Sequence, residues 1–204
     1  FTGLKLHEIT LPEIEAARAA VGAGVPIAVD VNCNWSAEQA AALTPRLVEL
    51  DVAWLEEPVF PPEDYGALRS LRGKGLKIAA GENWCTAEQF RTALAAGAVD
   101  YVQPSVTKVG GITEFLRVAA VAAEAGIPLE PHCPYFGPGF FASLHLAAAV
   151  PGVRELEYHF AVPDAWLVHP GAPGADGAFA VPEAPGLGFE PDPEVMARYA
   201  RLPR

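Results

Sequence analysis

The chain has 204 residues, of which 51% are hydrophobic and 19% charged, so it is suited to fold around a substantial core rather than remain disordered. Its formal net charge of −11 argues against a nucleic-acid partner, because such a partner requires a basic protein face. Three scattered cysteines indicate a reducing compartment without a disulfide framework. The sequence shows neither a signal-peptide pattern nor an apolar run of about 18 residues. We therefore predict a cytoplasmic protein with no membrane partner.

Short apolar or β-branched runs predict seven strands in chain order. They lie at residues 2–7, 26–31, 52–56, 76–80, 99–103, 126–131 and 154–158. Ala-, Leu- and Glu-rich stretches between them predict helices at residues 11–21, 36–49, 62–72, 86–96, 112–125 and 137–149. This alternation indicates an α/β protein with a parallel sheet, and its repeat of about 25 residues is close to one step of a TIM-type β/α barrel. A closed barrel needs about eight strands, so we expect at least one strand to be missing or supplied from outside this sequence.

Two helix starts carry capping-box patterns. In Ser36–Gln39 and in Thr86–Gln89 a hydroxyl residue stands three positions before a glutamine, so each side chain can bond the backbone N–H of the other residue. Gly97 and Gly126 follow Ala-rich stretches and suit the position just after a helix.

The alternating pattern ends near residue 159. Residues 160–192 are rich in proline and glycine and predict irregular structure, while residues 191–202 favour a last short helix. We therefore expect a barrel portion at residues 1–159 and a C-terminal extension at residues 160–204 that packs on the barrel or on a capping region.

Three carboxylates stand at the ends of successive predicted strands. Asp30, Glu56 and Glu82 are spaced 26 residues apart, which is one barrel step each. Neighbouring strands lie about 4.8 Å apart, so the three side chains can converge at the carboxyl end of the barrel. Clustered carboxylates need a counter-charge, and oxygen ligands favour Mg²⁺, with Mn²⁺ as an alternative. Only one of Glu56 and Glu57 can face this point, and the pattern alone does not choose between them.

An ordered set of motifs resembles the mandelate racemase and muconate lactonizing branch of the enolase superfamily, from about residue 3 to residue 190. The motifs are VDVN (29–32), WLEEP (54–58), GENW (81–84), TKVGG (107–111), EPH (130–132) and VPEAPGLG (181–188). The resemblance implies that Asp30, Glu56 and Glu82 hold Mg²⁺, which selects Glu56 over Glu57. It also implies a small-molecule carboxylate substrate that binds the metal and loses its alpha proton.

The same resemblance assigns candidate catalytic residues. Lys5 stands at the first lysine of the family's KxK motif, which holds the substrate carboxylate or lowers its neighbour's pKa. His7 replaces the second lysine, often the base, and histidine titrates close enough to neutrality to serve as acid or base. His132 matches the second base of the racemase-like group. That group pairs this histidine with an aspartate, whose position here is Ser105, so the charged dyad is absent and Ser105 becomes a candidate substrate contact.

Four further positions complete the candidate site. Lys108 precedes a Gly-Gly pair and is expected near the site, for charge neutralisation or proton transfer. Glu157 resembles the family's hydrogen-bonding acid opposite the metal, with Glu155 as its same-face competitor. Asn32 and Tyr135 are candidate substrate contacts, the second on a Gly/Pro-rich loop that suits a pocket rim.

Three functions fit these residues. The first is dehydration of a sugar acid or hydroxy acid, favoured because the missing aspartate makes a two-base reaction less natural. The second is a carboxylate racemase or epimerase, and the third is a non-catalytic metal-binding relative or an inert fragment. The resemblance also leads us to expect that a capping domain and the first barrel strand belong before residue 1, and that the protein assembles as a homo-oligomer.

Overall fold

The computed structural model describes residues 1–201, so residues 202–204 of the predicted C-terminal extension and helix lie outside the described part. Five strands form one parallel sheet in chain order. They are β1 (Leu4–His7), β2 (Ile27–Asp30), β3 (Val52–Glu56), β4 (Ile78–Ala80) and β5 (Tyr101–Val102). The chain therefore has the α/β TIM-type fold that the strand–helix alternation predicts. No closed barrel forms among residues 1–201.

Within residues 1–201, seven helices occupy the predicted helical stretches. They are α1 (Leu11–Val21), α2 (Ala37–Glu49), α3 (Tyr65–Leu71), α4 (Ala87–Ala95), α5 (Ile112–Ala125), α6 (Pro138–Ala149) and α7 (Pro193–Tyr199). Residues 160–192 contain neither helix nor strand, as their Pro and Gly content predicts. No helix within residues 1–201 combines the length and the apolar character that crossing a bilayer requires.

The prediction of seven strands was wrong at its last two positions. The run at residues 126–131 makes only a single bridge, between Val102 and Leu129, although Glu130 N–H does donate to the Val102 carbonyl at 3.0 Å. Pro104 has no N–H to continue that ladder, so regular pairing stops. The run at residues 154–158 has no strand partner within the described part of the chain and stays irregular.

The predicted helix ends are largely confirmed. Ser36 and Gln39 form a complete capping box at α2. At α4 only half of the box exists, because the Thr86 side chain accepts from Gln89 N–H but the Gln89 side chain accepts from Cys85 N–H, at 2.7 Å. Gly126 ends α5 with a left-handed φ of 67°, the conformation for which glycine is favoured.

Two apolar clusters hold these elements together. The larger cluster lies between the sheet and helices α1 to α5. The smaller one surrounds α6, which is buried on most sides, and includes Phe140 and Phe141. Phe179 and Phe189 from the C-terminal extension pack on these two rings, with centroids 5.3 and 4.8 Å away. The extension thus contacts the barrel portion through α6, and the domain boundary at residue 159 stays a prediction.

Candidate active site

The carboxyl ends of β1, β2 and β3 bring titratable side chains into one row. His7 pairs in register with Asp30, and Asp30 pairs with Glu56. Glu82 follows the end of β4 by two residues, at the same edge of the sheet. Because the carboxyl ends of parallel strands meet at this edge, Asp30, Glu56 and Glu82 all lie at one end of the fold, where they are buried.

Lys5 neutralises this acidic cluster from β1. Its Nζ lies 2.7 Å from Glu56 Oε1, 2.9 Å from Glu157 Oε1 and 3.8 Å from Asp30 Oδ2. Burial by itself would lower the pKa of Lys5, but the three carboxylates outweigh burial and raise that pKa. The ammonium group therefore stays charged, which suits a group that holds a carboxylate better than one that removes a proton.

Glu56 is the most enclosed carboxylate of the row. Its Oε2 accepts hydrogen bonds from Gln103 Nε2 at 2.8 Å and from Trp54 Nε1 at 3.3 Å. Burial raises its pKa, but Lys5, His132 and Gln103 together bring that pKa down to about 2, so the group is ionised. Sequence reasoning missed Gln103. Like the three carboxylates, it is a polar residue that follows the apolar run of a strand, here β5.

Glu82 lies between two basic side chains. Lys108 Nζ is 3.1 Å from its Oε1, and the His132 imidazole contacts its Oε2 through Nδ1 as an ion pair. Neither Glu82 Oε2 nor His132 Nδ1 has a hydrogen-bond partner with suitable geometry, and both atoms are buried. Burial would raise the pKa of Glu82, but His132 and Lys108 lower it. Burial would lower the pKa of His132, but Glu56 and Glu82 raise it, which favours an imidazolium beside the two carboxylates.

One group of prospective metal ligands combines two of the three predicted carboxylate ligands with a histidine. One ligand atom each from Glu56, Glu82 and His132 lies within 4.8 Å of the others. Asp30 is not a member of this group. Burial, followed by the neighbouring charge of Glu56, raises the pKa of Asp30 to about 6.

Glu57 faces away from this cluster, so the structure distinguishes the two adjacent glutamates. Its Oε1 accepts from the backbone N–H of Gly81 at 2.8 Å, and its Oε2 accepts from Cys33 Sγ at 3.4 Å. Burial raises the pKa of Glu57 to about 7. Glu56, and not Glu57, therefore lies beside Lys5 and His132.

The other predicted acid pair is distinguished in the same way. Glu157 contacts Lys5, and its Oε2 accepts from the backbone N–H of Cys133 at 2.9 Å. Glu155 instead accepts from the Thr2 hydroxyl at 3.2 Å. Glu157 is thus the acid that lies at the site.

His7 and Asn32 form the outer edge of the row. His7 Nε2 lies 3.2 Å from Asn32 Nδ2 and 3.8 Å from Asp30 Oδ2, and its side chain is 66% exposed. The backbone N–H of Asn32 donates to Asp30 Oδ1 at 2.8 Å. Asn32 thereby fixes the orientation of the Asp30 carboxylate.

On the opposite side, hydroxyl groups occupy the position where an aspartate would pair with His132. The Ser105 hydroxyl is hydrogen-bonded to the Tyr135 hydroxyl and lies 3.2 Å from that of Thr107. The Tyr135 ring stands edge-on to the His132 ring, with centroids 5.8 Å apart. Gly139 leaves room for this ring, because a Cβ at residue 139 would meet Tyr135 Cβ at 3.0 Å.

The donor set fits a hard divalent cation. Glu82 Oε2 is a buried carboxylate oxygen without a hydrogen bond, and burial followed by repulsion from Glu56 raises the pKa of Asp30. A bound cation would relieve both conditions. Carboxylate oxygens suit Mg²⁺ or Mn²⁺, whereas an imidazole nitrogen is the softer donor, so Asp30, Glu56 and Glu82 remain the predicted ligands.

Comparison with known proteins relates this geometry to characterised enzymes. A family model described as "Enolase C-terminal domain-like" matches residues 1–195. The chain is 33% identical to a 3,6-anhydro-alpha-L-galactonate cycloisomerase from Streptomyces coelicolor and 35% identical to a D-xylonate dehydratase from Haloferax volcanii. These matches cover 92% and 95% of the chain. They cover 50% and 47% of the two relatives, so the chain spans about half of their length.

The solved structures that match include one with metal and ligand. It is an L-talarate dehydratase from Polaromonas sp. JS666, complexed with Mg and L-glucarate, which shares 30% identity with the chain at a TM-score of 0.81. The match covers 97% of this chain and 52% of that one. Other matching proteins are named as dehydratases, cycloisomerases and racemases.

Proposed function

The chain belongs to the enolase C-terminal domain-like family, and from that membership we propose that it carries the reaction centre of an enzyme that removes the proton alpha to the carboxylate of an acid sugar. The observation that carries the proposal is the convergence of buried Glu56, Glu82 and His132, with ligand atoms within 4.8 Å, between Lys5 and Lys108. Clusters of buried titratable groups are typical of functional sites, and the active sites of barrel enzymes lie at the carboxyl ends of the strands.

In this proposal Asp30, Glu56 and Glu82 hold Mg²⁺. Bound there, Mg²⁺ would supply positive charge that stabilises the negative charge developing on the substrate carboxylate. Lys5 would add a second positive charge, because its ion pairs keep it protonated. Glu157 would hold Lys5 in place through the 2.9 Å contact.

Dehydration is the reaction that these groups support best. A base takes the alpha proton, the bond between the beta carbon and its hydroxyl breaks, and an acid protonates that hydroxyl so that it leaves as water. His132 suits the acid role because its contact with Glu82 favours the protonated imidazole. His7 and Lys108 are the candidates for the base, since both lie beside the carboxylate cluster.

A racemase or epimerase is the second candidate. It is favoured by the presence of titratable groups on both sides of the cluster, Lys5 and His7 on β1 and His132 on the chain after β5. Removal and return of a proton on opposite faces requires such an arrangement. The neutral Ser105–Tyr135 pair beside His132 weighs against it, since no carboxylate stands in that position.

Reaction in deuterated buffer separates the candidates. The full-length protein that contains this chain would be incubated with Mg²⁺ and a panel of acid sugars. Loss of water supports dehydration, and alpha-deuterium exchange without water loss supports racemisation or epimerisation. Mg²⁺ binding without exchange or product from any acid would contradict the enzymatic proposal and favour a non-catalytic relative. Under the same conditions, full exchange by a His7→Asn variant would rule out His7 as the base.

A further inference from the structure

Glu57 is a buried carboxylate for which the proposed reaction has no use. It directly follows Glu56, is 1% exposed, and points away from the reaction centre. It contacts the turns after two neighbouring strands, through Gly81 N–H at 2.8 Å and Cys33 Sγ at 3.4 Å. Its backbone joins β4 to the turn after β2, because its N–H donates to the Ala79 carbonyl at 3.0 Å and its carbonyl accepts from Cys33 N–H at 2.7 Å.

These turns carry unusual backbone conformations. Asn32, Cys33 and Glu57 have φ values of 45°, 58° and 44°, and they are three of the four non-glycine residues with positive φ among residues 1–201. Gly81 has a φ of 135°, and a Cβ there would meet Phe90 Cε1 at 2.8 Å. Such conformations persist only where the surrounding structure holds them, and they cluster at functional sites.

Each of these turns adjoins one predicted metal ligand. Asn32 and Cys33 follow Asp30, Glu57 follows Glu56, and Gly81 precedes Glu82. The Glu57 carboxylate is therefore a single group that ties together the turns beside all three ligands. We propose that Glu57 is a positioning residue that fixes the spacing of Asp30, Glu56 and Glu82 for a divalent cation.

This role rests on the proposed metal site, and it differs from a purely structural role in what its loss would change. If Glu57 only stabilised the fold, its removal would lower the melting temperature and leave the cation affinity of the folded protein unchanged. A positioning residue would change cation affinity as well, as the outer partners of metal ligands do.

The test measures Mg²⁺ affinity by calorimetry on the full-length protein. Glu57→Ala should weaken binding by about 10- to 100-fold, the range found when outer partners of metal ligands are removed. Glu57→Gln should bind close to the unmodified protein, because its amide oxygen can still accept from Gly81 N–H. Where the alanine variant does not fold, Glu57→Asp replaces it, since its shorter side chain does not span Gly81 and Cys33 together.

Asp100 offers a matched control. Its carboxylate also accepts from a backbone N–H, that of Ile78 at 2.9 Å, but Ile78 begins β4 whereas Gly81 follows its end. Asp100→Ala should lower the melting temperature and leave Mg²⁺ affinity unchanged. Equal loss of affinity in Asp100→Ala and Glu57→Ala would overturn the positioning role, because a general loss of stability would then explain both.

Hydrogen–deuterium exchange on the metal-free protein gives a second measurement. The Gly81 amide should exchange faster in Glu57→Ala than in the unmodified protein, and the Ile78 amide should not. An unmodified protein that binds no Mg²⁺ would overturn the proposed function and this role with it. If it binds Mg²⁺ and Glu57→Ala or Glu57→Asp binds equally tightly, only the positioning role is overturned.

Discussion

The two sides of the candidate site are built in different ways. We call Asp30, Glu56 and Glu82, at or just after the ends of β2, β3 and β4, the metal side, because they are the predicted ligands. We call Ser105, His132 and Glu157, all on the chain after β5, the proton side, because they are candidates for proton transfer or substrate binding. On the metal side the backbone of each strand is paired with its neighbours in a fixed parallel register. On the proton side regular strand pairing falls to one bridge. The His132 N–H still donates to the Pro104 carbonyl at 3.2 Å, and side-chain contacts fix the other positions.

The difference shows what determines the position of a catalytic group. Backbone pairing fixes every residue of a strand together, so the row from His7 to Asp30 to Glu56 follows from register alone. His132 and Glu157 depend on particular contacts, with Glu82 and with Lys5. Substitutions on the proton side should therefore act locally and on the reaction, whereas those on the metal side should act on cation binding.

The largest effect that we expect is on turnover by the full-length enzyme. His132→Asn should lower turnover by about 100- to 10,000-fold, the usual contribution of a general acid or base. Its Mg²⁺ affinity should not fall, because His132 is not among the predicted metal ligands. His145→Asn is the matched control, since His145 lies on α6 and contacts the Leu187 carbonyl rather than the site. Turnover retained by His132→Asn would show that the reaction does not need His132 as an acid or a base.

Cation affinity tests which residues belong to the metal side. Asp30→Asn and Glu82→Gln should each weaken Mg²⁺ binding by at least about 100-fold, because loss of a ligand should cost no less than loss of an outer partner. Calorimetry on the folded variants measures this effect. Affinity preserved in Asp30→Asn but lost in His132→Asn would instead make Glu56, Glu82 and His132 the ligand set.

The two sides also differ in how far the sequence predicted them. Asp30, Glu56 and Glu82 were found by spacing, because one strand–helix step of constant length places each at the same edge. The choice between Glu56 and Glu57 needed the family resemblance, because alternation in a strand does not say which face is inward. In the structure Glu56 contacts Lys5 and Gln103, and its role as a metal ligand stays a prediction.

The proton side was harder to predict because long-range side-chain contacts leave no periodic signal. The pairing of Ser105 with Tyr135 spans 30 residues, and the contact of Lys5 with Glu157 joins the first strand to the last predicted one. Pro104 explains why the strand at residues 126–131 was overpredicted, since the apolar run is present but the partner's N–H is not.

Glu130, a half-buried acid two residues before His132, should make stability depend on pH. Burial, with the charge of Glu155, raises the pKa of Glu130 from 4.5 to about 7, and its Oε2 has no hydrogen-bond partner within the described residues. Between these values the folded state binds a proton that the unfolded state has lost, so the contribution of Glu130 to stability falls as pH rises.

Glu130→Gln should abolish this contribution. Melting temperatures of the metal-free variant and parent should be similar below pH 4.5, and the variant should be the more stable above pH 7. An equal difference between variant and parent at both pH values would show that Glu130 keeps the same protonation state on folding.

The smallest expected effect concerns the hydroxyl pair that stands in for a charged partner of His132. Ser105→Ala and Tyr135→Phe remove the two ends of one hydrogen bond, so their effects on the free energy of unfolding should be non-additive by about 1 kcal/mol. Denaturant unfolding of both single variants and the double variant measures this coupling. Additive effects would mean that ring packing against Gly139, rather than the hydroxyl contact, holds Tyr135 beside His132. The proton side would then be positioned by shape alone, and the contrast with the hydrogen-bonded metal side would be sharper still.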